Sequence, residues 1–243
     1  MFPGDPPVVL SPMGELATDG YVSHLASLPA HSGTHVDAPA HVLAAGAALA
    51  DLPLWRFAGP GVVLDVRGRA GLAISAADIE PRLMWLRAQA PAFVLLWTGD
   101  AARFGEPGYY TQGAHVTPEA ALLLAGLGLS GVGLDAGSVD PYELNAPYGS
   151  RDLPAHRALL GAGLVIVENL RGLEQLPAAG FEFVGLPVLG CDGSPVRAAA
   201  FVPDGVSDEI SGENPGEQAG DISGDLTGTS ADALTDELAG GAS

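Results

Sequence analysis

This chain predicts an α/β fold, and two observations carry that expectation. It has 243 residues, 47% of them hydrophobic, with 34 glycines and 20 prolines. That is enough apolar material for one sizeable core interrupted by many turns. From Gly61 to Glu168, short apolar runs alternate with stretches carrying helix-start signals, the rhythm of a layered α/β domain. Composition alone would also admit a mainly-β fold, and the alternation does not choose among α/β folds.

Taken in order, Val8–Leu10 and Tyr21–Leu28 read as strands of a hairpin, with His24 a strand residue rather than a ligand. Leu43–Ala50 is alanine-rich and reads as a short helix, weakened by Gly46. Gly61–Val66 is a buried strand. Ser75 with Asp78 three residues on makes a capping-box-like start. Pro81 suits the first turn of a second helix through Gln89. Ala92–Trp97 is the next strand, and residues 101–116 form a loop holding Tyr109, Tyr110 and His115, the last in a structural or surface role. Thr117-Pro118-Glu119 starts a helix with a capping residue and a proline at its first position. Gly131–Asp135 is a strand. Asp135 and Asp140 support a site or cap a loop, the structural role being the safer reading. Asp152 caps a helix through Leu160, Leu164–Val167 is an apolar strand ending at Glu168, and Phe181–Leu189 is a further strand.

The formal charge is −19, with every one of the ten basic residues an arginine. Residues 204–243 hold ten acids and no base, leaving −9 for residues 1–203. No basic face exists for a phosphate backbone, so nucleic acid is not expected as a partner. No apolar run reaches the 18 or so residues of a membrane span, and the first residues lack the basic and apolar regions of a secretory signal. A single cysteine, Cys191, read as a small buried or half-buried residue, excludes an intrachain disulfide and fits a reducing cytoplasm. Glycine, serine and acid dominate beyond Pro203, so residues 1–203 are expected as the domain and 204–243 as a disordered tail, with at most a transient helix over Ala231–Ala239.

The functional signal lies in His31-Ser32-Gly33-Thr34-His35-Val36-Asp37-Ala38-Pro39-Ala40-His41, which holds three of the six histidines. Imidazole and carboxylate are donors that Zn²⁺ and Mn²⁺ accept. A straight strand would set His31 and His41 roughly 33 Å apart, whereas ligands of one ion must converge. The segment therefore folds back on itself, with Gly33 permitting a bend and Pro39 ruling out a continuous helix. A second pair completes the pattern. If the strand after Gly161-Ala162-Gly163 runs back past the preceding helix, His156 lies about 7 Å and Glu168 about 13 Å from the turn, at one end. A carboxylate closing a buried run needs a metal or a cation, the local candidates being Arg157 and Arg171.

His-x-Gly-Thr-His-x-Asp-Ala-Pro-x-His is similar to the metal-binding motif of the cyclase family, the family of bacterial kynurenine formamidase and isatin hydrolase. Further stretches resemble it: Pro3-Gly4-Asp5, Thr98-Gly99-Asp100, Asp135 to Asp140, His156 with Glu168-Asn169-Leu170, and Asp192 to Arg197. The resemblance runs from about residue 2 to about residue 202. It departs in lacking the family's first strand, so either the true start lies upstream or the protein manages without it. Phe2 holds the place of an aromatic near the family's substrate pocket. The resemblance implies a swivelling β/β/α fold, a partly open barrel with flanking helices. It also implies metal ligands His31, His35, Asp37, His156 and Glu168, and homodimers with pockets near subunit contacts.

Five ligands exceed the needs of one tetrahedral zinc, and Asp37 is a natural bridge between two ions, Zn²⁺ or Mn²⁺. Such a pair brings water to a pKa of about 7, so hydroxide can attack a carbonyl at neutral pH. His41 is then the general acid/base that protonates a leaving nitrogen, with a sixth ligand or an orienting group as alternatives. The resemblance implies a metal-dependent hydrolase of a small amide, foremost an arylformamidase converting N-formylkynurenine to kynurenine and formate. Alternatives are isatin-like cyclic amide or other carbonyl hydrolysis, and a non-catalytic metal- or ligand-binding protein on the same scaffold.

Overall fold

The computed structural model of the protein describes residues 2–69, 71–145 and 152–205. The expectations for residues 206–243, including the Ala231–Ala239 helix, lie outside the described residues. The chain opens with the expected hairpin, β1 (Val9–Gly14) against β2 (Ser23–Ser27), linked through one helical turn, α1 (Leu16–Asp19). Leu10, Met13, Val22 and Leu25 on this hairpin are each more than half exposed. His24 sits opposite Pro12 on its exposed surface.

The central sheet begins with β3 (His35–Asp37) and β4 (Ala58–Asp65). A two-stranded parallel pair, β5 (Ala73–Ile74) with β7 (His115–Val116), stands apart from it. Between them come α2 (Ala76–Ile79), α3 (Leu83–Gln89) and β6 (Phe93–Trp97). Then follow α4 (Pro118–Ala125), β8 (Gly131–Leu134), α5 (Tyr142–Asn145), α6 (Pro154–Gly161) and β9 (Val165–Glu168). The chain closes with β10 (Phe181–Val184), β11 (Gly193–Pro195) and β12 (Ala199–Phe201). Eight strands make one curled half-barrel in the order β11-β3-β9-β8-β6-β4-β10-β12, with flanking helices. Its centre, β4-β6-β8-β9, is parallel, and β3 joins it antiparallel to β9.

Each central strand is apolar on both faces, as a sheet covered on both sides requires. Val62, Leu64, Val94, Leu96, Val132 and Ile166 pack toward the helices, while Val63, Phe93, Leu95, Val165 and Val167 fill the opposite face. On that second face β8 carries only glycine. A Cβ on Gly131 would lie 2.7 Å from Phe93 Cε1, 2.8 Å from Val165 Cγ2 and 2.9 Å from the Val165 carbonyl oxygen. The glycines of β8 thus make room for the large side chains of β6 and β9. Among the described residues no helix is long and apolar enough to cross a membrane.

Local signals decide most helix starts. The Asp78 carboxylate accepts the Ser75 N–H at 2.7 Å, and the Thr117 hydroxyl accepts the Ala120 N–H at 3.3 Å. Four expectations need correction. Leu43–Ala50 is not a helix but a turn followed by a 3₁₀ turn, Leu49–Asp51. Gly46 folds back on the Pro39–His41 turn so closely that a Cβ would lie 2.4 Å from the Pro39 carbonyl carbon, and this return outweighs the alanines' helix propensity. Asp152 does not cap α6, whose N-cap is Leu153. The strand expected over Phe181–Leu189 ends at Val184. Cys191 is exposed rather than buried or half-buried.

Gly131→Ala forces β6 and β9 apart at the sheet centre. Urea unfolding is expected to show a loss of about 1–3 kcal/mol; an unchanged midpoint would mean the neighbouring strands have room to spread.

Candidate metal centre

Period-two alternation builds the site from β3. Val36 turns into the core, so His35 and Asp37 turn together to the other face, where the partner register sets His35 opposite Glu168 at the end of β9. The His31 loop reaches the same place through Gly33, whose φ of 62° is the left-handed bend that glycine allows. Immediately after β3, the 3₁₀ turn Pro39–His41 carries His41. Across from β3 on its other edge, Gly193 of β11 pairs with Asp37, and a Cβ there would come within 2.8 Å of three atoms of the His31 ring. Helix α6 delivers His156, as the antiparallel return from α6 to β9 requires.

All five expected donors meet. Asp37 is fully buried. Its Oδ1 lies 2.7 Å from His31 Nδ1 and 3.2 Å from His35 Nε2, and its Oδ2 lies 3.7 Å from His156 Nε2. Glu168 Oε1 is 3.4 Å from His156 Nε2, and Oε2 is 3.5 Å from His35 Nε2. The arginines considered as partners for Glu168 are engaged elsewhere. Arg157 donates to the Val42 carbonyl, and Arg171 stacks over Phe104. Three groups of potential ligands have donor atoms within 4.8 Å of one another: His31, His35 and Asp37; Asp37, His156 and Glu168; and His31, His41 and Asp192. Asp37 belongs to two of them, as a bridge would.

Outer contacts aim the inner atoms. His35 Nδ1 donates to the Gly33 carbonyl at 2.9 Å, leaving Nε2 for the site. The Val139 N–H donates to Glu168 Oε1 at 2.8 Å, and the Thr34 hydroxyl donates to the Asn169 carbonyl at 2.7 Å. Two residues outside the expected ligand set join the site. Asp192 bonds His31 Nε2 at 3.0 Å and faces His41 Nδ1 at 3.4 Å. Asp140, read as structural, contacts His156 directly at 2.7 Å and so belongs to the site as well. Asp135 fits the structural reading, accepting from the Thr98 N–H, the Thr98 hydroxyl and the Gly99 N–H.

A cavity of about 210 Å³ opens beside these groups, with Phe2, Tyr110, His41 and Asn169 among its walls. Phe2 packs edge-on against Tyr110 at 5.5 Å and tilted against Tyr142 at 5.6 Å between ring centroids.

Does the donor set suit a cation? Asp37 Oδ2 is the only buried side-chain polar atom among the described residues without a hydrogen-bond partner. An orphaned carboxylate oxygen in the core is costly, and a cation would satisfy it. Imidazole nitrogens and carboxylate oxygens aimed at that point fit Zn²⁺ or Mn²⁺ chemically. The titration behaviour agrees. Burial alone would lower the His31 pKa, but hydrogen bonds and charge from Asp37 and Asp192 outweigh it and raise it to about 9. His35 and His156 are raised against their burial by the surrounding carboxylates. Burial would raise Asp37, yet the charge of His35 and the bonds of the flanking imidazoles hold it well below the usual carboxylate range. Without a cation, the carboxylates draw protons onto the histidines. His41 is the exception, lowered chiefly by burial and so neutral at pH 7.

A curled α/β half-barrel with imidazoles and carboxylates converging at one strand end defines a hydrolase-like domain with a candidate metal centre. Residues 3–141 match the family model described as "Putative cyclase", and the chain belongs to that family. A kynurenine formamidase of Salinibacter ruber is 36% identical over 202 residues, covering 82% of this chain and 89% of that protein. Isatin hydrolase A from Labrenzia aggregata, solved bound to benzyl benzoate, superposes with a TM-score of 0.69 at 26% identity, covering 80% of this chain and 83% of that one. A solved structure described as a potential metal-dependent hydrolase with cyclase activity has a TM-score of 0.62 at 28% identity, covering 80% and 87%. The chain is a cyclase-family hydrolase.

The histidine pKa values fix a pH dependence for protein stripped with EDTA. His31 rises from 6.5 unfolded to about 9 folded, so its contribution is complete below pH 6.5 and is lost as pH climbs through 9. His35 and His156 act in the same direction, whereas the lowered Asp37 contributes above about pH 4 and is lost in acid. Urea unfolding is expected to show stripped protein less stable at pH 9 than at pH 6.5, by on the order of 2 kcal/mol, and His31→Gln should shrink the difference. Equal stability at the two pH values would contradict the proton-held cluster.

Proposed function

We propose that this chain is a metal-dependent amidohydrolase whose ions are held by His31, His35, Asp37, His156 and Glu168, and that its substrate is N-formylkynurenine. The observation that carries the reading is the orphaned Asp37 Oδ2 at the meeting point of three imidazoles and a second carboxylate. His31, His35 and Asp37 would hold one ion and Asp37, His156 and Glu168 a second, with Zn²⁺ suited to the imidazoles and Mn²⁺ accepted by the carboxylates. A divalent ion there supplies Lewis acidity to a carbonyl and makes water acidic enough to attack near neutral pH.

The chain's own residues do the rest. His41 stands at the cavity, its Nδ1 turned to Asp192, which leaves Nε2 for proton exchange. Water adds to the formyl carbon and the carbon–nitrogen bond breaks. The proton released by water passes through His41 to the departing aryl nitrogen, giving formate and the free amine. Phe2 and Tyr110 offer faces for the aryl ring, a role in keeping with the place of Phe2 on the cavity wall. Similarity to isatin hydrolase supports a second reading, ring-opening of a cyclic aryl amide by the same groups. A non-catalytic metal-binding protein has no use for His41. The apolar hairpin residues support a homodimer, and the lone Cys191 supports a cytoplasmic setting.

The test is a panel of N-formylkynurenine, isatin and a lactone, run on protein before and after EDTA and after Zn²⁺ or Mn²⁺ is restored. Turnover of the formamide is expected to vanish on stripping and to return with metal. His41→Ala is expected to cost about 10²–10⁴-fold in kcat with metal content kept. Full turnover by stripped protein overturns the metal reading, persistent turnover by His41→Ala overturns its proton role, and preference for isatin selects the second substrate.

A further inference from the structure

We propose that Asp140 is the positioning residue of the Asp37–His156–Glu168 group: one carboxylate closes the start of α6 and holds the His156 ring with Nε2 turned to Asp37 and Glu168. The inference rests on the metal reading above but is independent of the substrate.

Helix α6 lacks a cap of its own. Its N-cap residue, Leu153, has no side-chain acceptor, and Pro154 has no N–H. The first two N–H groups available, those of Ala155 and His156, donate to Asp140 Oδ1 and Oδ2, each at 3.0 Å. Asp140 comes from the segment after β8 and is itself buried. The cap is therefore supplied across the fold rather than by the preceding residue, which is why Asp152 is not needed.

The same Oδ2 lies 2.7 Å from His156 Nδ1. A carboxylate accepts only, so in the neutral ring the proton sits on Nδ1 and the lone pair on Nε2. That nitrogen is 3.4 Å from Glu168 Oε1 and 3.7 Å from Asp37 Oδ2. The preceding residue does the matching task for the carboxylate, its N–H holding Glu168 Oε1 at 2.8 Å. Val139 and Asp140 thus orient the two donors that lie farthest along the chain from the His31–His41 segment, one through the backbone and one through a side chain.

Two substitutions separate positioning from simple capping. Asp140→Ala removes the three acceptor contacts that Ala155 and His156 make with it among the described residues. Asp140→Asn keeps one oxygen, and the orientation that turns it to His156 satisfies two of the three donors while setting the amide group against the Ala155 N–H. Asparagine should therefore preserve the ring's orientation while losing the charge. Thr117→Ala, which removes the cap of α4, serves as a purely structural control.

Zn²⁺ affinity is measured by competition with a chromophoric chelator, stability by thermal melting in EDTA, and the imidazole N–H resonances of zinc-loaded protein by proton NMR. Asp140→Ala is expected to weaken zinc binding by about 10–100-fold and to lose a downfield N–H signal. Asp140→Asn should bind between it and wild type and keep that signal, shifted upfield. Thr117→Ala should melt earlier with zinc affinity unchanged. Wild-type affinity in Asp140→Ala, or a loss no greater than that of Thr117→Ala, overturns the inference alone. A wild-type protein that takes up no zinc overturns the metal reading and this inference together.

Discussion

The structure depends on one awkward group, the Asp37 carboxylate, held without solvent at the end of β3 between β11 and β9. A buried carboxylate is tolerated only where its surroundings supply positive charge and donors. Here β9 brings Glu168 alongside, β11 leaves space at Gly193, and imidazoles close in from the loop, the strand and α6. One oxygen still has no partner. The fold therefore presents a preformed negative hole, and the raised histidine pKa values are its response when protons are the only cations at hand.

Rigid and adaptable parts divide the work. The parallel centre of the sheet is packed on both faces and fixes the end of β9, so Glu168 is placed by the core itself. His35 and Asp37 inherit that rigidity through the antiparallel register. His31 and His41 lie on turns that need Gly33 and Gly46, where backbone must bend or approach closely. His41 and Asp192 sit on the side of the cluster nearer solvent, which suits proton exchange, while His156 and Glu168 are sealed on the buried side.

Much of this was legible in the sequence because it is local. The His31–His41 spacing demands a folded loop. The apolar strand ending in Glu168 demands a partner for its carboxylate, and the helix-turn-strand geometry sets His156 beside it. The cyclase-like fold followed from the motif rather than from periodicity. What stayed hidden needed tertiary information. Asp140 could not be told from a loop cap because its partners, Ala155 and His156, lie fifteen and sixteen residues on. Asp192 opens a turn that resembles the family's, but nothing in the sequence ties it to the histidines, and only the pairing of β11 with β3 brings it to His31 and His41. The alanines of Leu43–Ala50 signalled helix, yet the close return of Gly46 onto Pro39 decided otherwise.

Anomalous X-ray diffraction from crystals of protein purified without chelator tests the central claim most directly. Data at the zinc and manganese edges should show a peak about 2.0–2.2 Å from Asp37 and from at least two of His31, His35, His156 and Glu168. A peak only on surface acids, or none with Asp37 bonded solely to imidazoles, would contradict the account.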